Sequence, residues 1–216
     1  MSLKDAACVR AQKRRDHPMS WSGFSPSHFA SLEIPLVVVP TAVASLVIWG
    51  MGRSPSFEVS EWPDGSVSRG FWPRWDRPGK LSRFQIGVLA FVLGFIACAG
   101  WLSWTAEDKG GGAQGPSYPP PGNFPAWQIA ALGVTLIVFA VLTSMYARRV
   151  TSGALISPLF SAAGFSTAMS VGLSYGVTSQ EGIGVGLSMI GLTVGLGIVT
   201  LVCAALRAGK LKRLAQ

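Results

Sequence analysis

PAWQIAALGVTLIVFAVLTSMYA, residues 125–147, followed by Arg148 and Arg149, decides how this chain folds. The quoted stretch holds no charge across 23 residues. A bilayer-crossing helix needs only about 20 apolar residues, because the hydrocarbon layer is roughly 30 Å thick and a helix rises about 1.5 Å per residue. Working outward, the 82 residues from Pro125 to Leu206 contain only Arg148, Arg149 and Glu181 as charged groups. Of the 28 charged residues in the 216-residue chain, 18 lie at or before Arg83. Charged residues make up 13% of the chain, about half the share usual in a soluble domain, while 49% are hydrophobic. That balance excludes an ordinary water-soluble globule, and it equally excludes a disordered chain, which needs low hydrophobicity and high charge.

Four further stretches read as spans. Ile34–Gly52 lies between Glu33 and Arg53, Phe84–Thr105 between Arg83 and Glu107, and about Gly153–Val177 and Gly182–Leu206 follow. The sequence therefore predicts an all-α, polytopic transmembrane protein. Its parts are a basic tail over 1–29, spans at 30–52, 84–105, 125–147, 153–177 and 182–206, and a basic tail over 207–216. Pro35 and Pro40 suit the opening turns of the first span but would kink a helix that began earlier, so a re-entrant segment is the alternative there. A cleaved leader fits poorly, because the basic residues Lys4, Arg10, Lys13, Arg14 and Arg15 stand far ahead of the apolar run.

Lys and Arg counts orient the helices. The connection 53–83 carries six, Arg148 and Arg149 mark the third, and Arg207, Lys210, Lys212 and Arg213 the C-terminus; the connection 106–124 carries only Lys109. These alternate cleanly for spans two to five, with the positive ends on a cytoplasmic or matrix-like side. The basic N-terminal tail conflicts. Five spans put 12 Lys and Arg inside and 6 outside, whereas four spans put 17 inside and 1 outside. The uninterrupted first apolar run decides for five, since left out of lipid it would be a large exposed apolar surface. A bacterial or organellar inner membrane is the expected location. Trp101, Trp104, Trp127, Tyr146 and Tyr175 fall at span ends, where amphipathic rings collect.

Small residues form stripes in the last two spans. Gly164, Ala168, Gly172 and Gly176 recur every fourth residue, and Gly184, Ser188, Gly191 and Gly195 share one face of the next span. Such faces let backbones approach closely, so spans four and five are expected to form a tight Gly-rich hairpin. Ala90, Gly94 and Cys98 form a weaker stripe in the second span.

Signals for chemistry are sparse. The spans carry no central ionisable residue, with Glu33 read as lying at a boundary, and no histidine to hold a haem. Cys8, Cys98 and Cys203 form no CxxC pair, and no nucleotide-binding, nucleophile-elbow or zinc-protease motif occurs. No cofactor, no metal and no catalytic residue are expected. In the connection 53–83, Trp62, Trp72, Arg74, Trp75 and Arg77 mix stacking faces with cations, a pattern suited beside a membrane to lipid headgroups or a neighbouring subunit rather than to nucleic acid. The connection 106–124, with Gly110–Gly112 and Pro119–Pro121, reads as a spacer. The expectation is a non-catalytic accessory or scaffold subunit of a larger membrane complex (respiratory, photosynthetic or secretion type), with other membrane subunits and lipids as partners. The alternatives are a small permease or channel component, and a membrane-anchored binding module using the 53–83 connection.

Overall fold

A computed structural model describes residues 24–53, 79–103, 124–174 and 181–214. The described residues are helical apart from short connections and one isolated bridge, with no strand among them. Five helices are long and apolar enough to cross a membrane, as an integral membrane protein requires. The first is composite: α1 (Pro26–Glu33), a π-helical turn (Ile34–Val38) and α2 (Val39–Met51). The others are α3 (Arg83–Leu102), α4 (Ala126–Met145), α5 (Val150–Leu173) and α6 (Glu181–Leu214).

The first span begins earlier than the charge-free window suggests. Ser25 caps α1 by accepting from the His28 N–H, and Pro26 takes the first helical position, where a missing N–H costs nothing. Pro35 and Pro40 therefore fall inside the helix rather than in its opening turns. In an α-helix the Pro35 ring would meet the carbonyl of Ser31, four residues back. The backbone widens instead: Ile34 N–H bonds Ala30 four residues back, whereas Val39 N–H bonds Ile34 five back. One extra residue is thereby absorbed and the helix continues to Met51 without a break.

Helix α5 is the hub, packing most extensively on α3 and α6 and also on α4 and the first span. Two-thirds of its span window is buried inside the molecule, against 6% for the first span. Two apolar clusters flank it. One joins Val37, Ile48, Ile86, Ile156, Leu159 and Val185; the other joins Ala97, Leu132, Leu136, Phe165 and Leu196.

The closest crossing is between α3 and α5. A methyl group on Gly94 would collide with the Ser161 carbonyl, and one on Gly164 with the Phe91 carbonyl. The weaker stripe of the sequence, Ala90, Gly94 and Cys98, is buried here. Polar links add to the packing: Ser157 donates to the Ala140 carbonyl at 2.8 Å and pairs with Thr143, joining α4 to α5. At α5–α6, Pro158 lacks the N–H that would serve Ala154, and Thr200 of α6 donates to that carbonyl at 2.7 Å.

The two ends of the bundle differ. At one, Arg83 and Arg149 both donate to the Gly52 carbonyl at 2.9 Å, Arg148 N–H bonds Leu81, and Arg207 reaches the Met145 carbonyl. Arg53 lies 3.5 Å over the Trp49 ring. This is the basic end. At the other, Ser25 N–H bonds the Ser174 carbonyl at 3.1 Å, and Trp101 meets Trp127 edge to face at 6.3 Å. The first span thus runs from the Ser174 end to the basic end.

Candidate functional site

Glu33 stands out because of where α1 begins. Seven helical residues precede it, so it lies inside the first span and not at its boundary. It is 9% exposed. The sequence reading put Glu33 at the boundary of the first span; the helix begins seven residues before it. Thr167 Oγ1 of α5 lies 2.6 Å from Glu33 Oε1, while Oε2 is buried with no hydrogen-bond partner among the described residues. The π-helical turn follows directly. Such turns recur at functional sites because they redirect side chains, and a buried carboxyl inside a membrane span marks function more often than packing.

Polar groups lie on both sides of Glu33, with the buried hydroxyls of Thr41 and Ser45 on the first span towards the basic end and those of α5 towards the other. Thr167, Ser170 and Ser174 follow Ala163 along one face of α5 at steps of four, three and four residues. Ser170 and Ser174 are buried, and Ser174 accepts from Ser25 at the end of the bundle. Towards the basic end Val37, Ile48, Leu159 and Ala163 belong to one apolar cluster.

The glycine stripes divide. Gly164 abuts α3, Ala168 packs on the second apolar cluster, and Gly172 is half-buried. Gly184, Gly191 and Gly195 have nothing within contact distance of a Cβ, and Ser188 beside them is half-buried. Helix α6 packs instead through Val185, Met189, Leu196 and Thr200. Its small-residue face looks away from the bundle. Gly176 lies outside the described residues, as do Trp62, Trp72, Arg74, Trp75 and Arg77.

At the opposite end from the arginines, Trp101 serves packing. Its indole donates to Thr135 Oγ1 at 3.1 Å and its carbonyl accepts from the buried Gln128; Trp127 is half exposed. Cys98 and Cys203 are free thiols. Among the described residues no three His, Cys, Asp or Glu side chains come together as a metal site. A cavity of about 10 Å³ at the basic end, lined by Ser144, Met145, Cys203 and Arg207 among others, has room for about one water.

Comparison with protein-family models, curated proteins and solved structures finds no match to this chain.

Proposed function

We propose that the protein is a non-catalytic accessory subunit of a larger membrane complex, held by helix packing. The observation that carries this reading is the outward face of α6, where Gly184, Gly191 and Gly195 are open to a neighbour. Ile183, Leu187, Ile190, Val194 and Ile198 beside them are exposed and apolar. In lipid there is no hydrophobic drive between helices, so a small-residue face earns its place by letting another backbone approach. On this reading the face receives a helix of another subunit. Helices α5 and α6 form a tight hairpin, and the basic end faces the cytoplasm or matrix of a bacterial or organellar inner membrane.

The test exploits the emptiness of that face. Gly191→Leu with Gly195→Leu adds bulk where no described residue lies within contact of an added Cβ, so the fold is expected to survive. Purification from native membranes in mild detergent should then recover companion subunits with the wild type and lose them with the double variant. A wild-type protein that emerges alone, or a variant that keeps every companion, overturns the proposal. A small permease is the second reading, favoured by the buried Glu33 carboxyl; flux in reconstituted vesicles that is lost in Glu33→Gln would favour it.

A further inference from the structure

Two guanidinium groups meet at one backbone atom where the first span ends. Arg83 of α3 and Arg149, just before α5, each donate to the Gly52 carbonyl at 2.9 Å, so the two nitrogens are no more than twice that distance apart. The missing side chain makes room for this, because a Cβ on Gly52 would run into the Arg83 guanidinium. Both arginines are half-buried and Gly52 is buried. Guanidinium groups held in place at a membrane surface match the oxygens of a phosphate, to which arginine can donate two parallel hydrogen bonds.

The charge around the pair is of one sign. Arg53, Lys80, Arg148 and Arg207 lie at the same end, whereas the described acidic residues are Glu33, inside the first span, and Glu181, where α6 begins. The connection 53–83 adds Glu58, Glu61, Asp64 and Asp76. Against the twelve Lys and Arg of this side, those four carboxylates leave a surplus of eight even if every one is paired. Apolar surface adjoins the arginines. Trp49 and Met51 of the first span and Phe84 and Val88 of α3 are exposed. The first span and α3 both come close to α5 rather than to each other, which leaves a seam between them with α5 as its floor. Arg83, Gly87 and Phe91 share one face of α3, and Gly87 lies against the Phe160 ring of α5. Cations at the head of an apolar seam suit a molecule with an anionic head and hydrocarbon tails.

We infer that Arg83 and Arg149 bind the phosphate of an anionic phospholipid whose acyl chains lie along the seam between the first span and α3. This inference is independent of the subunit reading, because it needs no companion protein. The test uses the full chain in mild detergent, with phosphatidylglycerol as the probe and zwitterionic phosphatidylcholine and inorganic phosphate as comparisons. In native mass spectrometry of an equimolar lipid mixture, phosphatidylglycerol should be retained about thirtyfold over phosphatidylcholine, at about fivefold for each arginine. Arg83→Gln with Arg149→Gln should remove the preference, since glutamine can still donate to Gly52 but carries no charge. Lys80→Gln with Arg148→Gln takes the same charge from exposed positions at the same end and should keep most of it. A diazirine on the acyl chain of phosphatidylglycerol should crosslink to peptides of the first span and α3. The preference and the crosslink are read on the wild type, so they decide the matter even if the double variant fails to fold. Equal retention of the two lipids, an equal loss in the Lys80 and Arg148 variant, crosslinks confined to other helices, or displacement of the lipid by inorganic phosphate would each overturn the lipid site.

Discussion

Thr200 stands where a proline leaves a carbonyl without its helical donor. Pro158 sits in the middle of α5 and is buried, and the carbonyl it frees, that of Ala154, is met at 2.7 Å by the Thr200 hydroxyl from α6. Interhelical hydrogen bonds in membranes contribute about 0.6 kcal/mol on average and rarely above about 1.7. An unmet buried acceptor costs somewhat more than the bond it loses, about 1–3 kcal/mol. Thr200→Val is therefore expected to lower unfolding stability in detergent by about 1 kcal/mol. In a Pro158→Ala background the returned N–H can serve Ala154, and the same substitution should cost close to nothing. Denaturant titration of the four proteins closes this cycle; equal costs in both backgrounds would mean that Thr200 does not compensate for the proline.

At the scale of elements, the two kinds of glycine in this chain should respond oppositely to a methyl group. Gly94 and Gly164 lie where α3 and α5 touch backbone to backbone. An added methyl must push the helices apart, and overpacking of this kind costs about 1–3 kcal/mol. Gly191 faces open space, so Gly191→Ala should be neutral or gain up to about 1 kcal/mol from helix propensity alone. Thermal unfolding in detergent would expose a misplaced α3–α5 crossing if Gly94→Ala and Gly191→Ala behaved alike. The sequence marks small-residue stripes but does not rank them. Steps of three and four residues put Gly164 and Gly191 on equally good faces, yet only the first has a partner among the described residues. Which face turns inward depends on the shape of neighbouring helices, which a single helix's spacing does not encode.

For the molecule as a whole, the basic N-terminal tail must accommodate a first span that runs the full height of the bundle. Ser25 sits beside Ser174 and Gly52 beside Arg83 and Arg149, so the first span begins at the end opposite the arginines. Cys8 should consequently react with a membrane-impermeant thiol reagent from the side opposite to a cysteine introduced at Arg213. Labelling of both from the same face of sealed vesicles would sink this topology.

Charge scarcity determined much by the sequence alone. Apolar runs of about 20 residues can satisfy their backbone only as helices in lipid, so the all-helical class and the number of membrane-length helices were legible without coordinates. The start of the first span was also written there, in Ser25 and Pro26, although the charged Glu33 masks it. Tertiary structure alone decided the fate of Glu33. It is buried against α5, where Thr167 lies 134 positions further along the chain. A contact between residues so far apart arises from how helices cross, and no local pattern of residues specifies that.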